Sequence, residues 1–127
     1  SYKISYKMEK IPCICAMRDI VCAMNELENN LIITYGVSLN EAMVLCAIGS
    51  ETVPSSAISE RTGLTPSHTS KVVRAAENKK LVTRRLGRED KRQMFFTLTA
   101  TARNCLQRMR ENGVTVPEVL RPVFTDR

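Results

Sequence analysis

Thr62 to Lys80 reads TGLTPSHTSKVVRAAENKK, and the fold turns on this stretch. Gly63 permits a tight turn that a β-branched residue would resist. Thr65 is a plausible N-cap. Pro66, at the first helical position, gives up an amide that would have had no intrahelical partner. Along the helix that follows, Val72, Val73 and Ala76 make one stripe. Ser67, His68, Lys71, Arg74 and Asn78 make another, rotated away from it. The helix therefore has an apolar back and a polar, cationic front.

Upstream, Pro54-Ser55 opens a short helix holding Ala57, Ile58 and Arg61. Before it, SLNE (Ser38 to Glu41) reads as a capping box, with Ser38 capping the amide three on and Glu41 reaching back. The run from Ala42 to Ile48 is apolar all round, which predicts a second helix buried on most sides and closed by Gly49 and Ser50. Earlier still, Ile14, Met17, Val21, Met24, Leu27 and Leu31 recur at steps of three and four. They predict a helix from Pro12 to about Tyr35, ended by Gly36. So long a stripe needs a partner, either the rest of the domain or a second subunit. Residues 1–11 alternate weakly, as a short strand or a loose arm would.

Downstream, LVTRRL and RQMFFTL are β-prone runs separated by GRED. Met94, Phe96 and Leu98 alternate with Gln93, Phe95 and Thr97, and the short connection admits only a hairpin. Thr99 can cap a last helix, in which Ala102, Cys105, Leu106 and Met109 repeat at three and four and Asn112-Gly113 supplies the stop. The tail, with Pro117 and Pro122, holds at most short helical pieces. The order is helix, helix, short helix, tight turn, polar-fronted helix, charged hairpin, helix: that of a winged helix-turn-helix, mainly α with a small β-hairpin.

Bulk properties narrow the function classes. A chain of 127 residues fits one domain and buries roughly two-thirds of its unfolded surface. With 43% hydrophobic and 25% charged residues it reads as globular. A net charge of +6 favours nucleic acid or an anionic surface as partner. Five cysteines, an odd count, argue for reduced thiols in a cytoplasmic protein over a disulfide scaffold. No apolar run approaches the ~20 residues needed to span a membrane, and no signal-peptide block follows SYKISYKMEKIP. Nothing resembles an enzyme: there is no carboxylate pair with an evident cleft and no Gly-rich phosphate loop, and Ser67 and His68, as helix neighbours, point apart. No cofactor is expected, since Cys-x-Cys plus the single His68 falls short of a four-ligand zinc set.

In a helix-turn-helix the first helix crosses the DNA backbone and braces the second, whose N-terminal residues enter the major groove. The candidates there are Thr65, Ser67, His68, Thr69 and Ser70, as hydrogen-bonding groups, with Lys71 and Arg74 to neutralise phosphates or reach guanine. In the hairpin, Arg84, Arg85, Arg88, Lys91 and Arg92 face only Glu89 and Asp90. Such a tip suits the minor groove, where narrow width concentrates negative potential and favours Arg. Asp90 and Arg92, two apart on one strand, would point to the same side and form a positioning pair.

SLNEAMVLCAI, AISERTGLTPSHTSKVVRAAENKKLVTRR and REDKRQMFFTLT together resemble the MarR family of winged-helix regulators. The most specific part is Asp90-Lys91-Arg92 followed by Leu98-Thr99, similar to the family's Asp-x-Arg wing before a Leu-Thr helix start. The resemblance implies a single domain over 1–127. Residues 38–98 would be the DNA-binding lobe, and 1–35 and 99–127 the arms of a homodimer. It also implies a pseudo-palindromic double-stranded operator, with Arg92 as minor-groove arginine and Asp90 as its orienting partner. The implied function is a sequence-specific transcriptional regulator, a repressor released by a small-molecule effector or an oxidant. A different reading is a winged-helix module that docks a protein and makes no sequence-specific DNA contact. For the oxidant, Cys13 and Cys15 are the candidates, since a helix N-terminus lowers a thiol pKa. Two departures stand out. Lys80 occupies the place where the family usually has Gly before Leu-Val, and the proline-punctuated C-terminal part is short, which shifts the dimer contact onto the first helix.

Overall fold

The computed structural model describes residues 8–125. In chain order they form α1 (Ala16–Tyr35), α2 (Leu39–Ile48), β1 (Val53–Pro54), α3 (Ser55–Thr62), α4 (Pro66–Asn78), β2 (Val82–Leu86), β3 (Met94–Leu98) and α5 (Ala100–Asn112). A single 3-10 turn (Glu118–Leu120) and α6 (Arg121–Thr125) complete the chain. This is the expected winged-helix order, with one strand more. The strand-or-arm reading of residues 1–11 falls mostly on 1–7, outside the described residues; 8–11 have no regular structure.

α1 starts four residues later than the periodicity suggests. No Ser, Thr, Asp or Asn stands between Pro12 and Ala16 to cap it, and Cys15 at the N-cap makes no side-chain capping bond. The entry is instead a tight turn in which the amides of Ala16, Met17 and Arg18 donate three residues back. At the other end Gly36 adopts a left-handed φ of 74° and its amide closes onto Ile32 O. α2 then leaves at 67° to α1. The capping box is present in both directions: Glu41 N donates to Ser38 Oγ at 3.1 Å, and Ser38 N to Glu41 Oε1 at 2.8 Å.

Glu41 is 5% exposed, so its charge needs a partner. Lys79 Nζ supplies one at 2.7 Å and also donates to Gly36 O at 3.0 Å. One lysine thus ties the end of α4 to the start of α2 and the end of α1. α2 buries Val44, Leu45 and Ile48 completely. With Ile58 from α3, Val73 from α4 and Leu98 from β3 they form the centre of one core. The prediction of burial on most sides holds for that face. Met43, Cys46 and Ala47, by contrast, look into an open groove.

The sheet order is β1-β3-β2, antiparallel throughout. β1 pairs Val53 with Phe96 and Pro54 with Phe95. Two residues show no alternation, and Pro54 lacks a ladder donor, so this strand sits at an edge and leaves no sequence signature. β2 and β3 pair from Val82↔Leu98 to Leu86↔Met94. The hairpin connection is longer than GRED, because Lys91, Arg92 and Gln93 belong to the loop. Gly87 N donates to Gln93 O at 2.8 Å, and a Cβ on Gly87 would lie 2.7 Å from Asp90 O, so the loop closes only around glycine. Thr99 caps α5 through Ala102 N while its hydroxyl donates to Lys80 O. The tail folds back on α1, burying Leu120 against Ala23 and Leu27.

Candidate nucleic-acid interface

α4 presents Ser67, Ser70, Lys71 and Arg74 on one exposed face, with His68 beside them. Thr65 Oγ1 accepts from His68 N at 3.2 Å, which fixes the helix start as expected. The His68 ring lies 3.5 Å from the Asn40 amide at the head of α2. Ser70 donates to Pro66 O at 3.1 Å. Lys71 and Arg74 make no ion pair among the described residues. Both side chains are exposed on the same face of α4.

Thr69 is different, and its place among the DNA contacts is corrected. It is 0% exposed and accepts a 2.7 Å hydrogen bond from Ser59 Oγ. Spacing explains this: Thr69 stands three, four and seven residues before Val72, Val73 and Ala76, on the buried stripe. It braces α4 against α3. Its hydroxyl suggested the polar face, whereas its position belongs to the core.

In the hairpin, Asp90 and Arg92 form the pair expected of them, by a different geometry. Neither lies on a strand. Asp90 Oδ1 accepts from Arg92 N at 3.0 Å and from Arg92 Nε at 3.2 Å within the loop. The backbone bond first, and the side-chain bond second, hold the Asp90 carboxyl below its ordinary value of 3.8. Because the shift is downward, the pairing is complete above that value. It is lost only as pH falls through the lower folded-state pKa. The Arg92 side chain, 93% exposed, projects from this anchor into solvent. Arg88 and Lys91 are exposed at the same tip.

Arg84 and Arg85 separate. Arg85 borders a pocket with Thr52, Gly87, Arg88 and Phe95 on one side of the hairpin. Arg84 turns to the α4 side. There its Nε meets Glu77 Oε2 at 2.7 Å, its Nη2 meets Glu77 Oε1, and its guanidinium carbon lies 5.7 Å from the Phe96 ring centroid. The Glu77 partnership is not readable from the sequence, since the two residues meet only once β2 folds back along α4.

Lys80 takes a φ of 61°, the left-handed conformation that glycine adopts without strain and lysine does not. Cys13, Cys15 and Cys22 are exposed and free, along α1 and its entry turn. Desolvation pushes the thiols of Cys46, on the groove wall, and Cys105, in the core, above their ordinary values. No group of three or more His, Cys, Asp or Glu suited to a metal occurs among the described residues.

Residues 35–93 match the family model described as MarR family. That span holds α2, α3, α4 and the wing loop. The lobe is MarR-like. Solved structures agree on the fold. AbsC, a MarR family transcriptional regulator from Streptomyces coelicolor, is 22% identical with a TM-score of 0.68, over 88% of this chain and 78% of that one. The MepR–DNA complex from S. aureus is 17% identical with a TM-score of 0.61, over 76% and 81%. BpsR of Bordetella bronchiseptica, whose DNA binding is regulated by 6-hydroxynicotinic acid, is 16% identical with a TM-score of 0.68, over 84% and 76%. Among curated proteins none matches the sequence.

The MarR-like lobe also shares a groove with α1. Its volume is about 700 Å³, with walls from Leu27 and Leu31 of α1 and Met43, Cys46 and Ala47 of α2, and Phe124 of α6 at the margin. Arg61 stands at one end, donating to Ala47 O and Glu51 Oε2 at 2.8 Å each. The groove is largely apolar with one ion pair, and it touches α3, the helix that braces α4. No sequence motif announces it, because its lining comes from five separate segments.

Proposed function

We propose that this chain is a sequence-specific double-stranded DNA-binding transcriptional regulator that acts as a homodimer. The observation that carries the reading is the unpaired cationic face of α4 beside a hairpin tip whose Arg92 is held by Asp90. Ser67, His68, Lys71 and Arg74 are the groove-facing residues, Thr65 sets the helix start, and Arg88, Lys91 and Arg92 form the wing contact. The DNA complex of MepR, which shares the fold, supports the same docking. Recognition helices of the two subunits would enter successive major grooves of a pseudo-palindromic operator.

The homodimer rests on α1. Met17, Ile20, Val21 and Met24 are all more than a third exposed on a helix whose other face packs on the tail and the lobe. Such a stripe is what a second subunit covers. Repression relieved by a small molecule is supported by the groove between α1 and the lobe, and by the ligand control of BpsR. The oxidant variant rests on Cys13 and Cys15, whose exposure is what a sensing thiol requires.

Arg92→Ala tests the wing. Duplexes selected from a random pool are titrated against the full chain over a range of salt. Loss of one phosphate or groove contact per protomer flattens the log–log salt slope by about 0.9 and weakens binding. Unchanged affinity and slope would remove Arg92 from the interface. A wild-type chain that selects no duplex but docks a protein would establish the protein-interaction reading instead.

A further inference from the structure

Two arginines border the cleft between α4 and the hairpin, and they are in opposite states. Arg74 and Arg84 line one pocket of about 210 Å³, together with Ser55, Ser70, Met94 and Phe96. Arg74 is exposed and makes no ion pair among the described residues. Arg84 has its guanidinium edge occupied by both oxygens of Glu77 and one face over Phe96. A two-toothed guanidinium–carboxylate pair is among the stronger charge-assisted contacts, and it fixes orientation as well as charge. Glu77 stands three residues after Arg74 on the same helix, near enough to pair with it. Its carboxylate nevertheless goes to the strand.

This arrangement has a consequence for an interface with DNA. Cations on the sugar–phosphate backbone strengthen binding to every duplex alike, whereas contacts to base edges carry the sequence. An arginine released into the cleft would add to the first kind and dilute the second. We propose that Glu77 is a specificity-determining residue: by holding Arg84 against β3 it withholds that guanidinium from the DNA backbone and leaves Arg74 as the cation of this cleft that a phosphate meets. The inference rests on the DNA-binding reading above and adds to it the residue that limits non-specific affinity. Glu77 acts through Arg84, so it is a positioning residue as well.

The test compares a duplex selected from a random pool with a scrambled duplex of the same length. Both are titrated over salt with the full chain carrying Glu77→Gln, Arg84→Ala, or both. Glu77→Gln is expected to steepen the slope on the scrambled duplex by about 0.9 per protomer and to lower the selected-to-scrambled affinity ratio. In the Arg84→Ala background the same substitution is expected to leave slope and ratio where they were. If the increase persists without Arg84, removal of a negative charge explains it and the proposal is overturned. No change on Glu77→Gln alone overturns it equally. Single substitutions give an arm independent of how Glu77→Gln folds: Arg74→Ala should flatten the slope by about 0.9 while Arg84→Ala leaves it unchanged. An equal loss in both places Arg84 on the backbone and ends the proposal. A wild-type chain that binds neither duplex defeats the DNA-binding reading itself, a result distinct from all of these.

Discussion

The winged-helix lobe and the α1 arm are built from similar apolar residues and end in opposite conditions. In the lobe, Val44, Leu45, Ile48 and Ile58 are completely buried and no buried side-chain polar atom lacks a partner among the described residues. Along the 20 residues of α1, burial reaches only Ala23, Leu27 and Leu31. Ile20 and Val21 remain 52% and 58% exposed. The lobe closes its core from within one chain, because every helix from α1 to α5 and all three strands contribute to it. The arm joins the lobe core only at its C-terminal end, through Leu31 and Tyr35, and meets the tail around Leu120 further along, while its other face stays apolar. On the homodimer proposed above, the difference separates what a protomer needs in order to fold from what two protomers need in order to associate.

Substitutions should fall on one side or the other of that division. Ile58→Ala attacks the lobe at its centre and should cost about 2–5 kcal/mol, read as a lower midpoint in urea. A loss below 1 kcal/mol would mean that the core is looser than its burial implies. Lys80→Gly touches only the lobe's backbone at the α4 exit. It relieves a left-handed lysine and adds the entropy cost of glycine, for a net gain of about 0.5–1 kcal/mol. A loss on the same scale would show that the Lys80 side chain matters more than its φ. Val21→Asp should have the smallest effect on protomer stability, under about 0.5 kcal/mol, yet should shift sedimentation from two chains to one. A wild-type chain that already sediments singly would remove α1 as the dimer contact.

Much of the lobe was legible because its signals are local. The Ser38–Glu41 box, the Thr65 and Thr99 caps, Pro66 and the Asp90–Arg92 pair each span two to four residues, and the structure has all of them. The errors come from signals that are not local, or from residue type overriding position. Thr69 was placed by its hydroxyl when its spacing put it with Val72, Val73 and Ala76. β1 is too short for periodicity. Glu77 with Arg84, Glu41 with Lys79 and the groove all depend on segments that meet only in the folded chain.

Lys79 bears on how those distant segments move. Its ammonium group grips the α1 exit at Gly36 O and the α2 entry at Glu41, while its backbone closes α4. The arm is a rod of about 30 Å that leaves beside that grip. A swing of about 5° at Gly36 therefore carries the far end of a rod this long by about 2.6 Å. Read in reverse, in the proposed homodimer a shift of that size between the arms would arrive at the last turn of α4 as a small torque with a long lever behind it. Lys79 would be the fulcrum of such a swing.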